Sequence, residues 1–258
     1  MALLAGKAGI VTGAAQGFGL ATSERLAEQG ARVLMVDVNA LVLAEAAATL
    51  RARGLEVRTH AADVADEAQV EGMIAAGKAG FGRIDFLHQN AAVQVEKTLL
   101  DTTVADWDRL MAVNVRSMFL GARAVIPGML AQGGGAIVNS ASVLALSADE
   151  MLAAYTASKH AVLGLTLALS ATGSFARGGV RCNCICPGDI RTPMVARYFA
   201  ALPDPEAAEA ATAAHYPIGR IAEPQEMADV VAFLVSDLSR FVNGAALVAD
   251  GGMMARVY

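Results

Sequence analysis

Tyr155 and Lys159 stand four residues apart within a helix-compatible stretch, Met151 to Arg177. Side chains at that spacing share a helix face, one turn apart. A phenol normally loses its proton near pH 10, roughly, which is too high for efficient acid–base work at neutrality. A neighbouring ammonium favours the phenolate and lowers that value. The pair is thus a candidate for moving a proton to or from an oxygen. A surface tyrosine beside a solvated lysine has the same spacing, so the pair needs company. Ser142 lies thirteen residues before Tyr155, just past a strand expected over Ala136 to Ser140. Strands of an open parallel sheet end at the ligand crevice, and a hydroxyl there can polarise a carbonyl oxygen. Ser140 is the rival hydroxyl, and either serine could simply be a satisfied polar group at a strand end. Asn114 falls inside an otherwise apolar helical stretch, Asp101 to Ala131. A buried amide there needs partners; a local contact that bends the helix would also supply them.

A second group of residues has the form of a phosphate cradle. Thr12-Gly13-Ala14-Ala15-Gln16-Gly17-Phe18-Gly19 lies between an apolar strand and a helix. Glycines there let the backbone turn sharply and approach a pyrophosphate, while the following helix points its N-terminus at the charge. The spacing is G-x-x-x-G-x-G, and a glycine-rich turn alone is also ordinary turn chemistry. Asp37 follows the second apolar run at the distance expected of an acid that binds the adenine ribose of a dinucleotide. It could instead cap the next helix, a role for which Asn39 is an equal candidate.

The elements that must carry these residues alternate. Strands are expected over Ala8–Val11, Val33–Val36, Val57–Ala61, Ile84–His88, Ala136–Ser140, Val180–Ile185 and Ala245–Ala249. Helices are expected over Leu20–Gln29, Ala40–Arg53, Asp66–Gly80, Asp101–Ala131 (with Pro127 near its end), Met151–Arg177, Pro193–Ala214 and Pro224–Ser236. Short apolar runs alternating with helices imply right-handed βαβ units and a parallel sheet covered on both faces. The fold class is α/β: one doubly wound Rossmann-like domain over residues 1–258, with about seven parallel strands and helices on both faces.

Composition removes other classes. The chain has 258 residues, 55% hydrophobic and 17% charged, with net charge −5 and no basic tract. A nucleic-acid surface needs clustered Lys and Arg and is not expected. No apolar stretch is long enough to span a membrane. The N-terminus lacks the charged and apolar regions of a secretory signal, so a cytoplasmic location is expected. Cys182, Cys184 and Cys186 share one face of a strand and read as packed side chains, and the four histidines are scattered, so no metal site is assigned.

Taken jointly, these motifs make the chain resemble the short-chain dehydrogenase/reductase family from Lys7 to Gly252. Gly13, Gln16, Gly17, Phe18 and Gly19 fall in its T-G-x-x-x-G-x-G loop. Asp63 and Val64 resemble the pair beside the adenine ring, and Asn90-Ala91 fall in its N-N-A-G stretch. Asn114, Ser142, Tyr155 and Lys159 fall on its catalytic tetrad. Pro187-Gly188-Asp189-Ile190-Arg191-Thr192 resemble its nicotinamide-side P-G-x-x-x-T turn, and Asp250-Gly251-Gly252 its C-terminal signature. Two positions depart from the pattern: Gln89 and Ala92 stand where N-N-A-G has Asn and Gly, and the added methyl of Ala92 lies close to the cofactor's path.

The resemblance implies an NAD-dependent oxidoreductase that interconverts a secondary alcohol and a ketone. Tyr155 would be the acid/base. Lys159 would lower its pKa and hold the nicotinamide ribose, Ser142 would orient the substrate oxygen, and Asn114 would hold a water linking Lys159 to solvent. The expected partners are a small alcohol or ketone and further copies of the chain in a homotetramer. The alternatives are a 3-oxoacyl-carrier-protein reductase, expected to use NADPH and a basic docking patch, and a non-catalytic dinucleotide-binding regulator. The expected pocket wall mixes Leu144, Met151, Tyr198 and Phe199 with Asp149, Glu150 and Arg191; an apolar alcohol fits it, and Arg191 is either an anion-binding group or a solvated loop charge. Pro203 and Pro205 should break the segment of about 190–216 into a substrate lid.

Overall fold

The apolar runs become the strands β1 (Ala8–Thr12), β2 (Arg32–Asp37), β3 (Val57–Ala61), β4 (Phe86–Gln89), β5 (Gly135–Ser140), β6 (Val180–Pro187) and β7 (Ala246–Ala249). The computed structural model describes residues 2–255. The seven strands form one sheet in the order β3-β2-β1-β4-β5-β6-β7. All six neighbouring pairs are parallel. The order reverses between β1 and β4, which opens a crevice above their carboxyl ends.

The helices are α1 (Gly17–Glu28), α2 (Ala40–Ala52), α3 (Glu67–Phe81), α4 (Val104–Met111), α5 (Ser117–Ala131), α6 (Ala153–Ala171), α7 (Gly173–Arg177), α8 (Pro193–Ala200), α9 (Pro205–Ala214) and α10 (Pro224–Val235). Alternate strand residues supply two cores, as a period of two requires. Val33, Met35, Phe86, Val138 and Ile185 pack with Leu26, Leu43, Leu50, Val231 and Leu234 of α1, α2 and α10. Ile10, Leu34, Val36, Leu87 and Ile137 pack on the opposite face with Val70, Met73, Val125, Ile126 and Met129 of α3 and α5.

Three expected helices are each interrupted. The stretch Asp101–Ala131 begins at Val104, where Thr103 and Asp106 form a capping box. It then passes through a π-helical turn, Ala112–Arg116, before α5. The stretch Met151–Arg177 is α6 and α7, separated by Thr172 in an extended conformation (φ −70°, ψ 100°). Pro193–Ala214 is two helices; Asp204 caps the second by accepting from the Ala207 amide at 3.0 Å, and Pro205 takes its first position. A proline is tolerated there because that N–H would have no intrahelical partner.

Candidate active site

The glycine loop joins β1 to α1 at the crevice. Gly13 has φ +65°, and a Cβ there would come within 2.9 Å of the Ala91 Cα and the Asn90 side chain. A Cβ on Gly19 would meet the Gly13 carbonyl oxygen at 2.1 Å. The loop is thus closed upon itself and upon the end of β4 in a way that no side chain permits. Asn90 completes the closure: its Nδ2 donates to the Thr12 carbonyl (3.1 Å), and its backbone N–H donates to Thr12 Oγ1 (3.0 Å). No side chain caps the start of α1 at Gln16, so its first amides are left for an anion. Phe18 turns its ring into the core, edge-on to His88 at 5.2 Å; what it offers the crevice is backbone.

Asp37 ends β2 beside this loop. Its Oδ2 accepts from the Ala15 amide (3.1 Å) and its Oδ1 from the Asn39 amide (2.9 Å). The helix cap is Asn39, which accepts from the Val42 amide at 3.2 Å. Asp37 is therefore a carboxylate clamped to the glycine loop. Asp63 is exposed, accepting from the Ala65 amide at 2.9 Å, while Val64 beside it is buried. On the far side, a Cβ on Gly17 would touch Thr192 at 3.3 Å, so the turn after β6 closes over the loop. Pro187 ends β6, Gly188 packs against the Tyr216 ring, Ile190 bridges to Ala222, and Thr192 caps α8. The residues expected to hold a dinucleotide thus follow the carboxyl ends of β1, β2, β3, β4 and β6. No group of His, Cys, Asp or Glu suited to a metal ion occurs among the described residues.

Asn114, Ser142, Tyr155 and Lys159 come together at the ends of β4 and β5. Ser142 caps a short 3₁₀ turn, Val143–Ala145, by accepting from the Leu144 amide at 3.1 Å, and its hydroxyl proton has no acceptor among the described residues. That turn packs on α6, which carries Tyr155 and Lys159. The Tyr155 hydroxyl has no hydrogen-bond partner among the described residues. Burial and the Asp189 carboxylate push this phenol above its usual range. Lys159 is 1% exposed; its Nζ donates to the Ser140 carbonyl at 2.7 Å and lies 5.2 Å from the Tyr155 ring centroid. Burial pulls the ammonium down to about 8. Lys159 thus faces both the Tyr155 ring and the strand carbonyl, while burial and the Asp189 charge set the direction of the phenol's shift.

Asn114 is fully buried at the centre of the π turn. Its Oδ1 accepts from the Val93 amide (2.8 Å) and its Nδ2 donates to the Val93 carbonyl (2.9 Å) and to Ser158 Oγ (3.2 Å). Holding both polar groups of Val93 accounts for the local distortion, of a kind common at functional sites. Geometry also separates the two serines. Ser140 is buried, with its hydroxyl engaged by His88 and Asn90, whereas Ser142 keeps a free donor.

The Gln89 departure has a physical reason. Its Nε2 donates to Asn139 Oδ1 (2.9 Å) and to the Met118 carbonyl (3.1 Å), and the space it fills exists because residue 121 is glycine. For Ala92 the structure offers no rationale. Sequence reasoning missed His88, Ser158 and the Tyr216–Asp189 pair, in which the phenol donates to Asp189 Oδ2 at 2.7 Å and accepts from the Asp189 amide at 2.6 Å. Their signal is spatial: each contact spans 27 residues or more of sequence.

Known proteins are similar to this chain in sequence and fold. A family model described as "Enoyl-(Acyl carrier protein) reductase" matches residues 13–254. The chain is 45% identical to 2-(R)-hydroxypropyl-CoM dehydrogenase of Xanthobacter autotrophicus, over 95% of this chain and 98% of that one. It is 40% identical to levodione reductase of Leifsonia aquatica, over 95% and 93% of the two chains. A crystal structure of a putative short-chain dehydrogenase/reductase from Burkholderia xenovorans superposes with a TM-score of 0.95 at 33% identity, covering both chains fully (100% each). With its doubly wound sheet, closed glycine loop and buried lysine beside a free phenol, this chain is an alcohol–ketone oxidoreductase that belongs to the short-chain dehydrogenase/reductase family.

Proposed function

We propose that the enzyme interconverts a secondary alcohol and its ketone with NAD as hydride carrier, and that Tyr155 is its acid/base. The observation that carries this reading is the unpartnered Tyr155 hydroxyl on the same helix as buried Lys159, which Ser140 beside Ser142 holds. Gly13, Gln16, Gly17, Phe18, Gly19, Asp37, Asp63, Val64, Asn90, Pro187, Gly188, Ile190 and Thr192, with Tyr155 and Lys159, would hold the dinucleotide. Its nicotinamide ring, when bound, supplies or accepts the hydride. In reduction, Tyr155 Oη gives its proton to the carbonyl oxygen as charge develops there, and the free Ser142 proton steadies the same oxygen. A phenol pushed up by burial stays protonated at neutrality, which suits that donation. An ammonium has three donors; Lys159 spends one on Ser140 and keeps the others for the ribose hydroxyls. Asn114, anchored on Val93 and Ser158, would seat a water that returns protons to this lysine.

A neutral, mostly apolar substrate is supported by the state of Arg191. Its guanidinium lies 2.7 Å from Glu209 and 3.1 Å from Glu223, which neutralise it. The relatives' names, a hydroxypropyl-CoM dehydrogenase and a levodione reductase, support alcohol–ketone chemistry. The test is NAD reduction with 2-butanol, cyclohexanol and 1-phenylethanol, set against NADPH-driven reduction of a 3-oxoacyl thioester. Turnover of one or more alcohols with NAD is expected; faster thioester reduction with NADPH would overturn the reading.

Residues 190–216 would act as the lid, held down by Arg191 on Glu223 and by Tyr216 on Asp189. Its amides are expected to exchange faster than those of β1, β4 and β5 and to slow on addition of NAD; exchange already as slow as in those strands would contradict it. A homotetramer is supported by two separate exposed apolar sets: Leu100 (95% exposed), Trp107 and Phe119 around α4 and α5, and Phe241 (100%) with Leu238 and Val248 near β7. Closed symmetric assembly is the usual way to cover two such surfaces. Light scattering at micromolar concentration should give four times the monomer mass of 26.5 kDa; a clean monomer would contradict it.

A further inference from the structure

His88 lies wholly inside the protein on β4, in the layer between the glycine loop and the catalytic strand, and no step above uses it. Its ring contacts both sides. Phe18, at the start of α1, meets it edge-on with centroids 5.2 Å apart. Ser140 Oγ lies 3.0 Å from its Nε2. The neighbouring bonds assign the tautomer. Asn90 spends its Nδ2 on the Thr12 carbonyl, so its Oδ1 is the acceptor for the Ser140 hydroxyl at 3.4 Å. Ser140 Oγ then has only lone pairs left, and His88 donates to it from Nε2–H. A donor chain therefore runs from His88 to Ser140 to Asn90 to the glycine loop. The Ser140 carbonyl, in the same residue, holds Lys159 Nζ at 2.7 Å.

The remaining ring nitrogen argues against a merely structural role. His88 Nδ1 is buried with no hydrogen-bond partner among the described residues, and burial pulls the imidazole down to about 3, which favours the neutral ring. An orphaned polar atom in a core lowers stability. An aliphatic side chain would fill the site between Phe18 and Val138 without that cost. A residue kept at a cost to stability is explained by what it does to its one partner.

We infer that His88 is a positioning residue: its Nε2–H fixes Ser140, and so fixes the carbonyl that holds Lys159 and the strand end that presents Ser142. It touches neither substrate nor reacting atoms. The inference rests on the roles proposed for Ser142 and Lys159, and Lys159→Ala measured alongside separates the two: an active Lys159→Ala enzyme sinks those roles, whereas a dead one beside a fully active His88→Leu enzyme sinks only this inference.

The test uses the full chain with NAD and whichever of 2-butanol, cyclohexanol and 1-phenylethanol the wild type oxidises fastest. His88→Leu should keep or raise Tm while kcat falls about tenfold, an effect smaller than the roughly 10²-fold that a 1 Å misplacement brings. KM for NAD should stay within about threefold, since the glycine loop remains closed by Asn90 and Thr12. His88→Gln, whose amide can donate to Ser140, should recover most of the lost kcat. The pair His88→Leu with Ser140→Ala should be no slower than Ser140→Ala alone, because one side chain acts through the other. Full activity in His88→Leu, a loss that tracks a fall in Tm and is not rescued by Gln, failure of the Leu variant to fold, or independent losses in the double variant would each overturn the inference.

Discussion

Tyr155→Phe should reduce kcat at least a hundredfold while the fold and the affinity for NAD stay as they are. Proton-transfer groups contribute roughly 10²–10⁴-fold to rate, and this substitution removes the proton and nothing else of consequence. The Tyr155 hydroxyl bonds to none of the described residues, so no internal hydrogen bond is lost. The ring that Lys159 faces at 5.2 Å remains, so the lysine keeps its seat on the Ser140 carbonyl. The measurements are steady-state turnover, thermal unfolding and NADH titration on the same preparation. Residual kcat above about a hundredth of wild type would remove Tyr155 from the proton-transfer role. A large fall in Tm would show that the ring, with its hydroxyl, is a packing element.

The second large effect is on cofactor choice. The wild type is expected to prefer NAD over NADP, and Asp37→Ala to lose most of that preference. Asp37 is held in place by the amides of Ala15 and Asn39, so its charge cannot easily swing away from the loop. A 2′-phosphate carries a charge near −2 at neutral pH. Two unit charges about 4 Å apart repel by roughly 4 kcal/mol at an effective dielectric near 20. Solvation and relaxation reduce this, but half of it still exceeds a tenfold change in affinity, since about 1.4 kcal/mol is a factor of ten. No ion pair to Asp37 occurs among the described residues, and Arg32 begins β2 at the opposite end from Asp37. The readout is kcat/KM with each cofactor in both proteins. Equal efficiency with NADP in the wild type would mean that the Asp37 carboxylate does not meet the ribose.

The strands and the glycine loop were legible because their causes are local. Buried parallel strands are continuous apolar runs, and Gly13 and Gly19 stand where the backbone closes on itself. Two rivalries left open by sequence are decided by contacts: Asn39 rather than Asp37 caps α2, and Ser140 rather than Ser142 has its proton engaged. Pro203 and Pro205 marked the break in Pro193–Ala214, whereas the breaks in Asp101–Ala131 and Met151–Arg177 were not legible. The π turn exists because Asn114 holds the backbone of Val93, twenty-one residues earlier, and no periodicity within the helix records that. His88 reads as one histidine in an apolar run; its meaning lies in Ser140, fifty-two residues on. The expected effect of Lys159 on the Tyr155 pKa came from spacing and from the family resemblance. Spacing fixes the shared face, whereas burial and Asp189 set the direction of the shift.

The central claim, that hydride leaves a carbinol carbon in a site whose proton passes through Tyr155, has one direct measurement. A secondary alcohol carrying deuterium on its carbinol carbon is incubated with NAD and either the wild type or Tyr155→Phe, and the reduced cofactor is examined by mass spectrometry. The account predicts one deuterium in the NADH formed by the wild type and almost no labelled NADH from the variant, despite equal NAD binding. Unlabelled NADH from the wild type, or labelled NADH formed as fast by the variant, would contradict it.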